Sequence, residues 1–284
     1  MSMAAVETQM VGDRISKRNF EKLAQFIYDY SGIKMPPTKL TMLEGRLRRR
    51  LRATQHATFD DYCDFLFHDD GLEQETVYLI DAVTTNKTDF FREARHFEYM
   101  QQVALPALVS SGVRTIRTWS SACSTGAEPY TMAMVLEEFV ADRRDLNYSI
   151  LATDLSTDVL ATARRGIYSE DLVHPVPREL QRKYVMVAKQ KDRREVRISA
   201  DLRSRVGFAR MNLMDENYPV GEGMHMIFCR NVLIYFDKPT QSGVLKRLCA
   251  RLLPGGYMFI GHSESITGID LPLKQVSNTV FQRI

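Results

Sequence analysis

The residues able to do chemistry in this chain sit just after short apolar runs. The run at 115–119 leads into Ser120-Ser121-Ala122-Cys123-Ser124-Thr125-Gly126-Ala127-Glu128-Pro129-Tyr130. Small residues there let backbone approach a ligand closely. With one glycine, the stretch lacks the GxGxxG pattern that cradles a pyrophosphate. Glu128, near an expected helix start, suits a cationic group such as an amino acid ammonium. The second run ends in Ala152-Thr153-Asp154, where an acid can accept from both ribose hydroxyls. The third ends in Arg210-Met211-Asn212-Leu213, which offers Asn212 to an adenine edge and Leu213 to the face of the ring. The fourth continues through Phe228-Cys229-Arg230-Asn231-Val232-Leu233-Ile234-Tyr235. Each element alone is weak, since an Asp at a strand end is as often a helix cap. Their order describes a pocket for a nucleoside bearing an amino acid rather than phosphates.

The elements that must position these residues follow from periodicity. Strands are expected at 115–119, 148–153, 206–211, 224–229 and 257–261, with helices starting near Ala127, Thr157 and Thr240. Such alternation predicts a mostly parallel, doubly wound α/β sheet covered by helices on both sides. Ligands bind such sheets beyond the carboxyl ends of the strands, and S-adenosylmethionine is a molecule of the kind described. Leu253-Pro254-Gly255-Gly256 reads as a turn, and 273–284 as an antiparallel hairpin at the sheet edge. Between Arg165 and Val206 lie about forty residues, too many for a plain loop. Two strands at 184–189 and 195–199, joined by a polar turn at 190–194, make an inserted β-subdomain. The first ninety residues read as helices: Phe20, Leu23, Ile27 and Tyr30 with a stop at Gly32, then Leu40, Leu43, Leu47 and Leu51. Thr58 caps a third helix and a fourth runs from Leu72 to Val83. The expected division is a helical domain and linker at 1–90 and an α/β domain at 91–284, with the insertion at 167–204.

Composition narrows the class. Hydrophobic residues at 44% and charged residues at 26% suit an ordinary soluble core. No apolar run approaches the roughly 20 residues of a membrane span, and the start MSMAAVETQM lacks the pattern of a secretory signal. Cys63, Cys123, Cys229 and Cys249 form no CxxC pair, which favours reduced cytosolic thiols over a disulfide frame or a zinc site; no metal is expected. A net charge of +3 is too small to imply nucleic acid. The charge is clustered, however. Lys39, Arg46, Arg48, Arg49, Arg50 and Arg52 face a single Glu44, and Asp60, Asp61, Asp64, Asp69, Asp70, Glu73 and Glu75 follow. Two such stripes are either an oriented docking surface or two solvated helix faces. Nothing demands more than a monomer.

Four stretches carry a family resemblance: Thr84-Thr85-Asn86-Lys87-Thr88-Asp89-Phe90-Phe91-Arg92, Cys123 to Tyr130, Cys229 to Phe236, and Gly261-His262-Ser263-Glu264-Ser265. In these the chain resembles the CheR-type chemotaxis receptor methyltransferases, enterobacterial members in particular. The resemblance implies a class I S-adenosylmethionine-dependent methyltransferase fold with an amino-terminal helical domain and an inserted small antiparallel β-subdomain. It implies methylation of glutamate side chains on chemoreceptors, with S-adenosylhomocysteine as product. Carried over by position, it assigns cofactor contacts to Asn86, Thr88, Arg92, Glu128, Asp154, Asn212, Leu213, Arg230 and Asn231. Periodicity alone makes 86–92 a linker; the resemblance makes it a wall of the pocket. Family members often carry Glu where Ala127 stands here. The implied partner is the helical bundle of membrane receptors, to which Arg46, Arg48, Arg49, Arg50 and Arg52 would dock. In enterobacterial relatives the insertion also tethers a receptor carboxyl-terminal peptide. The expected location is the cytoplasm, at receptor arrays.

That chemistry asks little of the protein. A glutamate with a pKa of about 4.3 is already an anionic nucleophile at neutral pH, so no general base is needed. Alignment and loss of water remain. Tyr235 is the first choice to orient the carboxylate and Arg230 the second, core packing being the bland alternative for Tyr235. His262 reads as a turn residue, Glu264 as a turn cap, and Cys123 and Cys229 as packing groups. Two competing readings are a methyltransferase acting on RNA or a small molecule, and a cofactor-binding sensor that transfers nothing. Against RNA stand the lack of a second basic patch and of an aromatic platform.

Overall fold

The computed structural model describes residues 13–190, 193–221 and 223–284. The expected turn at 190–194 therefore lies partly outside the described residues. The chain divides into two compact units, Met1–Thr85 and Asn86–Ile284.

In the first unit lie α1 (Lys17–Ser31), α2 (Leu40–Thr54), α3 (Phe59–His68) and α4 (Gly71–Val83). The apolar stripes become the core: Leu23, Ile27, Leu43, Leu47, Leu51 and Phe59 are fully buried. Gly32 ends α1 in the left-handed region at φ 72°. Thr58 and Asp61 form a reciprocal capping box on α3. Among these helices a polar cluster is buried. Arg50 donates to both Glu75 oxygens, at 2.9 and 2.5 Å, and the Tyr62 hydroxyl donates to Glu75 at 3.0 Å. Arg46 donates to the carbonyls of Val83 and Thr84 at 2.7 and 2.8 Å, closing the carboxyl end of α4. Arg48 donates to the Asp13 carbonyl at 3.1 Å. Three arginines of the basic stripe thus hold their own unit together, while Arg49 and Arg52 are exposed.

The second unit opens with helical turns that periodicity did not reveal: α5 (Arg95–Tyr99), a π-helical turn at Met100–Ala104, and α6 (Leu105–Ser110). The strands β1 (Thr115–Ser120), β2 (Asn147–Asp154), β6 (Val206–Arg210), β7 (Met224–Cys229) and β8 (Leu252–Ile260) pair in parallel. With β9 (Leu273–Ser277) and β10 (Val280–Arg283) they make a seven-stranded sheet, in the order β6-β2-β1-β7-β8-β10-β9. The hairpin β9–β10 is antiparallel, as its sequence predicts. One expectation fails: Leu253-Pro254-Gly255-Gly256 lies inside β8 rather than in a turn. An irregularity in the β7–β8 register, between Met224 and Met226, absorbs the Pro and the left-handed Gly255 (φ 77°).

Helices α7 (Ala127–Val140), α8 (Thr157–Arg165) and α12 (Lys238–Arg251) connect the strands. The insertion comprises β3 (Ile167–Ser169), α9 (Glu170–Val173), α10 (Arg178–Tyr184), β4 (Val185–Val187), β5 (Glu195–Ile198) and α11 (Ala200–Ser204). Its strands form an antiparallel sheet in the order β3-β5-β4. The sequence showed two of these strands. β3 is too short for an alternating pattern, and Tyr184 ends a helix instead of opening a strand. Beneath the sheet's functional end, Phe228 stacks on Phe259 at 4.2 Å and on Phe97 at 5.7 Å. No helix among the described residues is long and apolar enough to cross a membrane.

At the opposite end of β7, His225 Nδ1 accepts the Arg117 backbone N–H at 3.1 Å. That bond requires an unprotonated Nδ1. Burial first, and Arg117 second, lower the His225 pKa. A histidine whose folded pKa lies below its unfolded value, about 6.5, stabilises fully above that pH and loses the contribution as pH falls. The urea midpoint should therefore drop between about pH 7.5 and about pH 5.5, and less so in His225→Gln. Equal slopes for both proteins would remove His225 from the acid response.

Candidate active site

The chain leaves β1 toward β2 on one side, while β7 flanks β1 on the other. A crevice forms at such a switch point, beyond the carboxyl ends of the strands. The loop after β1 is pinned to both neighbours. The Ser121 N–H and hydroxyl donate to the Phe228 carbonyl at 2.9 and 3.0 Å, and the Cys123 N–H donates to Thr153 at 2.9 Å. Ser124, left-handed at φ 49°, donates its N–H to Asp154 Oδ2 at 2.8 Å. The Ser156 N–H reaches Oδ1 of the same carboxylate at 3.0 Å. These two backbone donors orient the carboxylate of the half-buried Asp154 at the end of β2. Gly126 closes the loop at φ 95°, where a Cβ would lie 2.9 Å from both Ala163 Cβ and the Tyr168 hydroxyl.

The segment 86–92 packs against the loop after β1 and against α7. The Ser124 hydroxyl donates to the Asn86 carbonyl at 2.8 Å. The Phe91 N–H donates to Thr131 of α7 at 3.1 Å, and Arg92 donates to the Lys87 carbonyl at 3.0 Å. Phe90 is buried edge-on against Tyr168, and Thr88 is half-buried. After β6, Asn212 Oδ1 accepts the Met214 N–H at 3.0 Å. That local turn places Leu213, whose carbonyl accepts from Tyr218 and Arg247 at 2.7 and 2.8 Å. Ala127 is fully buried.

A sealed cation organises the centre. The Arg230 side chain is 1% exposed. It donates to Glu128 Oε2 at 2.8 Å, to Glu93 Oε2 at 3.0 Å and to the Arg92 carbonyl, with Phe97 5.5 Å beneath its guanidinium. Ser120 donates to the other Glu128 oxygen at 2.7 Å, and Asn231 to the other Glu93 oxygen at 3.2 Å. Glu93 and Phe91 are both left-handed, at φ 57° and 52°. Burial pushes the Glu93 carboxyl up, but Arg230 and the Asn231 donor outweigh it and hold it below the usual range. Two carboxylates around one guanidinium leave an excess negative charge. Arg230 is fully enclosed between these two acids.

Another buried carboxylate, Glu264, shapes the loop after β7. Glu264 accepts the backbone N–H groups of Asn231, Val232, Leu233 and Gly261 at 2.9, 2.9, 2.8 and 2.6 Å. Burial pushes its pKa up and the four donors oppose that. A Cβ on Gly261 would stand 2.6 Å from Asn231 Nδ2 and 2.7 Å from Glu264. The pinned loop delivers Tyr235 at the end of a 3-10 turn, Leu233–Tyr235. Tyr235 is half-buried, outside the core, with Ile234 beside it 50% exposed. Cys123 and Cys229 are buried, and burial raises both thiols, so they are packing groups.

Residues 86–282 match the family model of the CheR methyltransferase S-adenosylmethionine-binding domain, and 18–84 match its all-alpha domain. The chain belongs to the CheR methyltransferase family. It is 38% identical to the chemotaxis protein methyltransferase of Borreliella burgdorferi, over 89% of this chain and 90% of that one. Identity to the Escherichia coli K12 chemotaxis protein methyltransferase is 37%, over 94% and 91% of the two chains. Identity to chemotaxis protein methyltransferase 2 of Pseudomonas aeruginosa is 34%, over 94% and 93%. A CheR domain of this kind is an S-adenosylmethionine-dependent methyltransferase domain, and its helical and α/β parts are those observed.

Sequence reasoning missed Glu93, one residue beyond the first motif. No local pattern marks an acid whose partner is 137 positions away. Glu93→Ala should cost about 3 kcal/mol of stability, because it leaves a buried guanidinium half compensated. Urea unfolding of Glu93→Ala checks this, and a loss below about 1 kcal/mol would mean that Glu128 alone suffices.

Proposed function

We propose that this chain transfers the methyl group of S-adenosylmethionine to glutamate carboxylates of methyl-accepting chemotaxis receptors. The products are glutamyl methyl esters and S-adenosylhomocysteine. The observation that carries the reading is the Asp154 carboxylate, oriented by two backbone donors in the crevice of a family S-adenosylmethionine-binding domain. The relatives named above, all chemotaxis protein methyltransferases, support the substrate class.

The donor set suits the nucleoside. Asp154 would hold the ribose hydroxyls, and Asn212 and Leu213 the adenine. Asn86, Thr88, Arg92, Glu128, Arg230 and Asn231 would hold or frame the methionyl end. When bound, S-adenosylmethionine supplies a methyl group on a good leaving group. The protein's own part is placement. The excess negative charge of Glu93 and Glu128 about Arg230 favours a cationic guest at close range. Tyr235, on a loop stiffened by Glu264, orients the receptor carboxylate through its hydroxyl. The glutamate is already ionised, so no residue need remove a proton.

Docking to the receptor bundle falls to Arg49 and Arg52, the two exposed arginines of the stripe, while Arg46, Arg48 and Arg50 are half-buried. At the insertion, β4 pairs among the described residues only with β5, and it exposes Met186 and Val187 at 59% and 70%. Such an edge can take an extended receptor tail by strand addition and raise the enzyme's local concentration. The enzyme works as a cytoplasmic monomer at receptor arrays, without nucleic acid.

Tritiated methyl transfer to receptor membranes should give label released by base as methanol. Base-stable label would instead mean nitrogen or nucleic acid products, and no transfer would leave only a sensor. Tyr235→Phe should slow methylation by about 10- to 100-fold, the worth of one hydrogen bond to a charged group, with cofactor affinity nearly unchanged. Wild-type turnover would remove Tyr235 from the mechanism. Arg49→Ala with Arg52→Ala should raise the KM for receptor at low salt and do less at high salt.

A further inference from the structure

We propose that Glu93, His96 and His262 bind one divalent transition-metal cation of the zinc type. The site uses only residues of the second unit and shares Glu93 with the acid pair about Arg230, so it is tested by metal uptake in the absence of methyl donor.

The donor atoms already converge. Glu93 Oε2 lies 3.5 Å from His96 Nδ1 and 3.9 Å from His262 Nε2, and the three residues each offer a ligand atom within 4.8 Å of the others. Tetrahedral zinc with bonds of about 2.0–2.1 Å needs ligand separations near 3.4 Å. One pair stands at that spacing. The remaining closure is a small swing of His262, whose side chain is 42% exposed.

A buried nitrogen points into the cluster. His96 Nδ1 is buried and makes no hydrogen bond, and Glu93 Oε2 lies 3.5 Å from it. The Thr279 hydroxyl stands 2.8 Å from both His96 Nε2 and the Asn278 carbonyl. The proposed site uses the tautomer in which Nε2–H donates to that hydroxyl and Nδ1 offers its lone pair to the metal. In that tautomer the contact with Thr279 is the outer support that metal-binding histidines use to fix ring orientation.

Charge agrees with position. Glu93 and Glu128 share one Arg230, leaving a negative charge for a cation to offset. Glu93 Oε2 serves Arg230 with one lone pair and retains another. A cavity of about 380 Å³, lined in part by His96, Tyr99, His262 and Asn278, gives access. Two imidazoles and one carboxylate select zinc, nickel or cobalt over magnesium or calcium. Three protein ligands leave a fourth position for water. Bound there, the metal would bolt the loop after β8 to the wall at 93–96. In sequence only Glu93-x-x-His96 hints at it.

The test is calorimetric titration of chelator-treated full-length protein with zinc chloride, without methyl donor. The expected result is one saturable site per chain, weakened about 100-fold or more by His262→Ala and unchanged by His174→Ala, an exposed control. Cobalt should give tetrahedral visible absorption that Glu93→Gln abolishes. Circular dichroism of the exposed His262→Ala variant separates lost ligation from lost folding. No saturable uptake, uptake indifferent to His262 and Glu93, or nitrogen NMR showing His96 protonated at Nδ1 in the metal-free protein would each overturn the site. Because donor binding and methyl transfer are measured separately, failure here leaves the methyltransferase reading intact.

Discussion

A guanidinium sealed from water must have anionic company, and Arg230 imposes that demand on the whole site. Removing an ion from water carries a penalty of several kcal/mol even after relaxation. The fold meets it with Glu128 from the first turn of α7 and Glu93 from the wall at 86–93. One cation at the end of β7 therefore ties together a helix start and an irregular segment far apart in sequence. The left-handed backbone at Phe91 and Glu93 follows, because the wall must turn sharply to aim an acid inward.

Glu264 solves the complementary problem with the opposite sign. The loop after β7 would otherwise leave three consecutive N–H groups, from Asn231 to Leu233, to find acceptors. One buried carboxylate takes all three and adds Gly261, so the ends of β7 and β8 share an anchor. Rigidity of this kind suits a reaction between an ionised nucleophile and an activated methyl donor, for which position matters more than proton transfer.

The helical unit shows why a run of charge is ambiguous before folding. Arg46, Arg48, Arg49, Arg50 and Arg52 are alike in composition, yet three are internal braces and two face solvent. The difference lies in their helical phase relative to α4 and to Asp13. Burying the Arg50–Glu75–Tyr62 cluster links the basic stripe to the acidic one inside the unit.

What the sequence determined by itself is what repeats or acts locally. Leucines three and four apart, Gly32 as a stop and the Thr58 cap specify the helices, since each acts within a few residues. Alternating β-rich and helical stretches specify the parallel sheet, and its strand ends single out Glu128 and Asp154. Short or irregular pieces escaped: β3 has three residues, and the β7–β8 irregularity hides a Pro-Gly-Gly inside a strand. Only tertiary structure could decide the partners of Arg230, the four donors on Glu264 and the meeting of His262 with Glu93. Those contacts join residues from 3 to 169 positions apart, and over the longer spans no local propensity chooses a partner. Burial chooses, once the strands are in order and each enclosed charge has to be answered.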